Sequence, residues 1–566
     1  MQARRRLRRK SLLIWGLATF IPCLFIFLNT YNAVILAQQT PELSDLAKVD
    51  AFKACFLPIL VVQALILLFL GTGSIAGTLS EEKESGLLDY HRVTPMTPAQ
   101  KTVGYLLGLP CREYLMFAIT LPFTVISTVG GNLPVGKVLL LYSILLCNAF
   151  TYHLTSMVAG LLARRPRLAG WLARLMVVAI FLFIPILGQL GFAILGHITF
   201  IPTLYGLFKE ELAQTNFFQD KEYVAIWETV PFYYWELPPA LFSFVILGLL
   251  MVMFSYILLR KWKKDSYHPF TKVFAILVFG VIQFFAVGSI TPLLYRNDPE
   301  LAGIFNHLHD IGGILRYFYG AEPDTIFQTV PWNKKYTSLL YGHLMGSGAL
   351  IVWLLHIVTP YRATAIGGLR RARKLGLEKI PFNWDAAPSL WVCLVLIATA
   401  LLGYLSLAFT GPMLSGEYDF ARPSPRQLAA AGFTFLCVTL YVQGARTIWE
   451  RPGWLGFLAL MWIVPMLCGM TLSAFVQEAE PTAYIGIPNP GIAIGHILSP
   501  PFKLYIIPDT IGSLKVPAVV GFIFHTALAI FFQSKAHHWR RDLDPATSEG
   551  QIGTRDATDL PDNDIL

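Results

Sequence analysis

Charge is what this 566-residue chain has least of. Asp, Glu, Lys and Arg make up 14% of it, against 55% hydrophobic residues, where a soluble globular protein carries about a quarter charged residues. The shortage excludes a water-facing surface over most of the length and leaves a polytopic membrane protein. Cysteine is scarce and unpatterned. Cys23, Cys55, Cys111, Cys147, Cys393, Cys437 and Cys468 lie in or at the ends of apolar runs with no CxxC pair, which excludes a disulfide framework and leaves small packing residues. The net charge of +9 does not gather on one patch, so nucleic acid is not expected as a partner. Basic residues fall instead in short bursts between apolar spans, a topology signal.

Catalytic and ion-handling groups are missing as well. Gly131 to Lys137 has the GxxxxGK spacing of a phosphate-binding loop, but Val138 stands where Ser or Thr must hold Mg²⁺. The stretch is also a short outer turn with no preceding strand. With no other candidate, the chain is not expected to hydrolyse ATP itself. Titratable groups inside apolar spans reduce to Arg112, Glu113, His153, His343, His356 and His525. The histidines lack any metal-ligand spacing, and His343 and His356 are too far apart on one helix to hold one ion. They are expected to be satisfied or cavity-facing, and no metal, cofactor or catalytic residue is expected. Arg112 and Glu113, at the start of the third span, are expected as an interfacial pair whose charged ends snorkel to water. A membrane-embedded enzyme acting on lipids would need Asp, His or Arg clustered at one face. An ion-coupled secondary carrier would need carboxylates at depth. Both remain rivals without a supporting cluster. The scarcity of intramembrane charge favours an apolar or amphipathic substrate.

What is present is apolar length. A crossing helix needs about 20 mostly apolar residues, and twelve runs qualify: 11–29, 55–78, 113–130, 137–162, 171–196, 238–259, 272–294, 337–358, 388–410, 427–445, 454–475 and 516–533. The first follows a basic run from Arg4 to Lys10, is longer than a signal-peptide core and shows no clear cleavage site, so it reads as a first span with a cytosolic N-terminus. With that end inside, 31 of the 44 lysines and arginines fall on segments placed inside and 13 on the others, which puts both termini in the cytosol. The spans form two halves of six, residues 1–260 and 261–534, with long outer segments after the first and fifth span of each. The fold class is all-α, and an interface between duplicated halves is a common substrate path. The apolar, proline-containing stretches 201–208 and 489–502 fit either short re-entrant or interfacial helices or plain outer loops. Aromatic clusters such as Phe232 to Trp235, and Trp332, read as interface belts. Residues 535–566 read as a disordered cytosolic tail, seven of whose residues from Asp542 onward are acidic.

One segment breaks the apolar pattern. Residues 78–108 are charged and full of helix signals. Thr78 and Glu81 have capping-box spacing, with Ser80 an alternative cap, which predicts a helix with Glu81, Glu82 and Glu84 in its first turns, at the positive end of the dipole. Leu87, Leu88 and Tyr90 supply an apolar side. Thr94-Pro95 ends that helix, and Thr97-Pro98-Ala99-Gln100 starts another. Two short helices joined by a turn make a rigid acidic hairpin at the cytosolic surface. Taken alone, the pattern also fits an interfacial amphipathic helix whose carboxylates are merely solvated.

Glu82-Lys-Glu84-Ser-Gly86, Leu88-Asp89, Thr94-Pro95, Pro98 and Gly104 run in the order of a family pattern: two glutamates and a glycine, a leucine-rich helix, a Thr-Pro turn, and a second helix opening the third span. In this the sequence resembles the membrane (permease) subunits of ABC-2 type transporters. The local match covers about 30 residues, and the six-span pattern of each half extends it. The resemblance implies an exporter permease in the plasma (cytoplasmic) membrane, the inner membrane of a bacterial cell, powered by separate cytosolic ABC ATPase subunits. It further implies that 78–108 is a coupling hairpin seated in a groove of the ATPase, with Glu81, Glu82, Glu84, Gly86, Leu88, Asp89, Thr94, Pro95 and Pro98 as its coupling residues. Leu87 stands where the family usually has Thr, and Tyr105 where it usually has Lys. The matching segment of the second half, 361–387, is instead basic and amphipathic. The chain is thus expected as an intrachain pseudo-dimer or as one copy of a homodimer. A membrane scaffold that only binds an ATPase fits the same letters.

Overall fold

The computed structural model describes residues 9–37, 44–163, 165–189, 193–213, 229–263, 269–295, 332–360, 362–377, 379–382, 384–387, 389–415, 425–449, 451–465, 467–468, 484–498 and 515–548. Most of the N-terminal basic run, the segments 214–228, 296–331, 469–483 and 499–514, and the tail from 549 lie outside these. The chain is an all-α polytopic membrane protein. Nine stretches among the described residues are long and apolar enough to cross a membrane: Leu13–Leu36, Leu46–Glu84, Cys111–Gly130, Val135–Leu162, Pro239–Lys263, Lys272–Pro292, Leu390–Phe409, Arg426–Ile448 and Val516–His538. The expected spans 171–196, 337–358 and 454–475 coincide with shorter apolar helices, Leu168–Leu182, Gly342–Val358 and Gly453–Ile463. Along α1 (Arg9–Ala37), Leu13, Ile21 and Phe25 are exposed. In a bilayer such side chains meet lipid at no cost, whereas in water they would be a liability.

The described residues divide into two compact units, one of residues up to Pro269 and one starting at Phe270. In the first, α1 packs on α2 (Ser44–Ala64), and both pack on α6 (Cys111–Gly130). Helix α2 continues without a break through a π-helical segment, Leu65–Gly71, into α3 (Thr72–Glu84). The second span is therefore a single rod much longer than the 55–78 expected. Helix α3 lies against α7 (Val135–Leu162) and α8 (Pro166–Gln189). These contacts use small residues. A Cβ on Gly160 would stand 2.9 Å from the Ala76 carbonyl oxygen, and one on Gly170 would stand 3.0 Å from that of Gly73. Where lipid removes the hydrophobic drive between helices, close backbone approach and van der Waals contact supply it.

Several polar side chains between these helices find partners in place. Gln63 donates to Thr124 Oγ1 at 2.9 Å and accepts from the Tyr142 hydroxyl, and Asn148 donates to the Ile198 carbonyl at 2.8 Å. His197 and Thr203 both meet the Ser243 hydroxyl, at 2.7 and 3.0 Å. The stretch after α8 forms two short helices, α9 (Ala193–Gly196), within the expected span 171–196, and α10 (Ile201–Ala213), which covers the stretch 201–208 where a helix or a plain loop was open. The expected aromatic belt at 232–235 is an antiparallel β-hairpin, β1 (Val230–Phe232) with β2 (Trp235–Leu237). Phe232 is buried within 5.4 Å of Phe242, and Tyr234 and Trp235 are exposed. Helix α11 (Pro239–Lys263) closes the unit against α7.

In the second unit, α12 (Lys272–Tyr295), α13 (Trp332–Val358) and α15 (Leu390–Ser415) pack on one another. Between α13 and α15 lies α14 (Arg362–Lys374). Helix α16 (Pro425–Ile448) packs on α18 (Pro490–Leu498) and α19 (Lys515–Ser548), and α17 (Arg451–Leu458) leads into a second π-helical stretch, Ala459–Ile463. Helix α19 continues to Ser548, so the segment expected as a disordered tail from 535 begins as helix. Gln283 joins His343 and Ser347 at 2.8 Å each, His525 meets the Ile487 carbonyl at 3.1 Å, and His356 accepts from Arg446 at 3.2 Å. Each span histidine thus has a partner in its own unit.

Candidate functional site

The acidic segment is built from the end of the long rod outward. Helix α3 runs to Glu84. The Ser85 N–H reaches back to the Glu81 carbonyl at 3.0 Å, and Gly86 turns the chain at φ 74°, a left-handed conformation open to glycine with little strain. Helix α4 (Leu87–Val93) follows, and Thr94 is extended ahead of Pro95. Helix α5 (Pro98–Gly108) opens on a complete capping box: the Gln100 N–H donates to Thr97 Oγ1 at 3.2 Å, and the Thr97 N–H donates to Gln100 Oε1 at 2.9 Å. Lys101 Nζ donates to the Arg92 carbonyl at 3.1 Å, tying the second helix to the end of the first.

The expected helix start at Thr78 or Ser80 does not occur. A cap needs the chain to enter from a non-helical residue, whereas here it arrives already helical from the second span. Thr78 Oγ1 donates instead to the Ser74 carbonyl one turn back, at 2.8 Å. Glu81, Glu82 and Glu84 consequently occupy the last turn of a helix, not the first, where the dipole disfavours carboxylates. Glu82 is turned inward. It is 5% exposed, and its Oε2 accepts from the Tyr105 hydroxyl at 2.6 Å. The Tyr105 ring lies 5.0 Å from Trp262 and 6.1 Å from His91. Burial, with the hydrogen bond and charge of Glu82, pushes the Tyr105 phenol above its ordinary range. Lys83 donates to the Leu161 carbonyl, a free acceptor at the end of α7 where a cation is favoured. Leu88 is buried among Ile75, Leu79, Leu109, Leu258 and Trp262. These contacts press the end of α3 and α4 against α5, α7 and α11.

The outward positions include Glu81, Glu84, Gly86, Leu87, Asp89, Tyr90, Val93 and Pro95. Asp89 pairs with Arg92 at 2.6 Å, an exposed i,i+3 pair that stabilises little. The tip thus presents two carboxylates beside exposed Leu87, Tyr90 and Val93, a mixed apolar and acidic face without a covering neighbour among the described residues.

Arg112 and Glu113 form an ion pair at 2.6 Å at the start of α6, but not a snorkelling one: Glu113 is fully buried. The Arg112 guanidinium lies 4.4 Å over the Trp15 ring of α1, a cation–π contact that keeps it against protein. Nothing in the sequence marks Trp15 as its partner, nor Tyr105 as the partner of Glu82.

No curated protein and no solved structure matches the chain. Residues 1–192 match the family model described as ABC-2 type transporter, a stretch that holds the rod, the hairpin and the Arg112–Glu113 pair. The match supports an ABC-2 type transporter permease domain over these residues, within a multi-pass membrane protein.

Proposed function

We propose that the chain is the membrane-spanning permease subunit of an ABC-2 type exporter, and that the hairpin at 78–108 is where a separate cytosolic ABC ATPase seats. The observation that carries this reading is the division of labour within the acidic segment. Glu82, Leu88, Thr94 and Pro98 build it, Gly86 and Pro95 turn it, and Glu81, Glu84, Asp89, Leu87, Tyr90 and Val93 face outward. A tip held from behind, with a mixed apolar and acidic front, is suited to docking a soluble partner, because ordering costs have already been met. Its continuity with the second span gives ATP-driven closure a stiff route into the bilayer. The chain sits in the plasma membrane with both termini cytosolic, as two six-helix halves that serve as a pseudo-dimer or pair with a second copy. Substrate moves by alternating access.

The test is affinity purification of the detergent-solubilised full chain from its host, comparing wild type with Glu81→Arg/Glu84→Arg/Tyr90→Ala. All three positions are exposed, so the variant keeps its fold. An ATPase that accompanies the wild type and is lost by at least tenfold from the variant (about 1.4 kcal/mol) is the expected result. An ATPase retained equally by both removes the hairpin as the contact, and no ATPase with either removes the exporter.

A further inference from the structure

The second unit also has a built element at the membrane end of its spans, and it is basic. Helix α14 and the loop after it connect the end of α13 to the start of α15 beside the first residue of α12, so three spans meet there. The Ser389 hydroxyl donates to the Val358 carbonyl at 3.3 Å across this junction. Helix α14 ends in a tight stop: the Leu377 N–H returns to the Ala372 carbonyl at 2.9 Å, and Gly376 sits at φ 72°. The loop is then clamped from beneath. Lys272, 1% exposed at the start of α12, donates to the carbonyls of Phe382 (3.3 Å), Trp384 and Ala387 (2.9 Å). A lysine at a helix N-terminus opposes the dipole; three carbonyls and the nearby charge of Asp385 offset this. Gly368 lets α14 lie flat on the loop, since a Cβ there would come within 2.2 Å of the Ala386 Cβ.

On this platform Arg373, Lys374 and Lys379 are exposed, interleaved with exposed Leu375, Leu377 and Phe382, the last 72% exposed. The Trp391 indole, in the first turn of a span, donates to the Phe382 carbonyl at 3.1 Å, which sets that ring at the level where the chain enters the bilayer. Cations alone would suit water. Cations alternating with aliphatic and aromatic side chains at a span entrance suit the headgroup layer, where the charges meet phosphates and the apolar groups reach the acyl boundary.

We propose that this platform is a binding surface for anionic phospholipid headgroups of the cytosolic leaflet. The second unit would therefore be fixed to charged lipid where the first presents its acidic hairpin to protein. The charge complementarity is direct: among the described residues of the α14 face and its loop, the exposed ionisable groups Arg373, Lys374 and Lys379 are cations, which suit an acidic phosphate.

The experiment is native mass spectrometry of the full chain in detergent, titrated with phosphatidylglycerol or phosphatidylcholine. Wild type is compared with Arg373→Gln/Lys374→Gln/Lys379→Gln and with a control triple that removes the same charge from the other side, Lys53→Gln/Lys137→Gln/Arg426→Gln. The wild type and control triple should retain phosphatidylglycerol preferentially. The platform variant should lose about fivefold of that preference per charge removed. Arg373→Lys/Lys374→Arg/Lys379→Arg, which keeps the charge, should restore it and so exclude misfolding. Equal retention of the two lipids by wild type, or equal loss in both neutralised triples, overturns the proposal. So does a platform variant that keeps its lipid preference but loses a co-purifying acidic protein, because the surface then docks protein.

Discussion

Glu82 shows how one residue can be legible in kind and illegible in direction. The sequence marks it as one of three glutamates, and a helix starting at Thr78 would have sent all three to water. Because the helix arrives from the second span, its phase is already set by the apolar positions. Ile75, Leu79 and Glu82 follow one another at helical spacing on one buried face. That spacing could have been read directly, and it makes Glu82 an internal group in need of a donor. Tyr105, noted in the sequence only for standing where the family usually has Lys, is that donor. Tyr105→Phe should therefore lower the stability of the purified protein by about 2 kcal/mol, the scale of a lost hydrogen bond to a charged group, while Glu82→Gln, which can still accept from the hydroxyl, should cost less. Thermal unfolding in detergent measures both. An unchanged midpoint for Tyr105→Phe would mean that the carboxylate is held by its other contacts.

At the scale of elements, hydrophobic length located the spans well and their joins poorly. Periodicity cannot see that polar residues from Ser44 onward belong to the same helix as the apolar run, nor that its middle is wound as a π-helix. A side chain of another helix reaches into that stretch. His153 of α7 meets the Leu67 carbonyl with Nε2 at 3.0 Å, so this nitrogen carries the proton. Its Nδ1 faces the Tyr114 hydroxyl at 2.9 Å, which it shares with the Leu106 carbonyl at 3.2 Å. Gly71 leaves room for the ring, since a Cβ there would come within 2.6 Å of Nε2. An imidazole inserted into the backbone ladder is a recognised cause of such local rewinding. Gly71→Ala should then destabilise by about 1–3 kcal/mol through overpacking. In the double variant Gly71→Ala/His153→Ala the two losses should fall short of additive, because the clash disappears with the ring. Strict additivity in unfolding measurements would separate the π segment from His153. The capping box at Thr97 was legible because it is a local device, complete within four residues.

At the scale of the whole molecule, the proposed topology puts three expected spans between the β-hairpin and the α14 platform, and so predicts opposite sides of the membrane for the two. Tyr234→Cys and Lys379→Cys, each introduced after replacement of the native cysteines, test this in intact cells with a membrane-impermeant thiol reagent. The first should label from outside and the second only after permeabilisation. Labelling of both from one side would change the number of crossings between them and with it the two halves of six. The sequence could not show that the second unit holds its basic segment rigid, because the clamp pairs Lys272 with backbone atoms more than a hundred residues away, and backbone carbonyls have no letter. The rod from Ser44 to Glu84 has no linker between bilayer and hairpin, hence no slack. On the proposed coupling, a push at Glu84 would travel along continuous helix to Gly71, where the π segment ends. Whatever pause separates the power stroke from the opening of the far side would be set there.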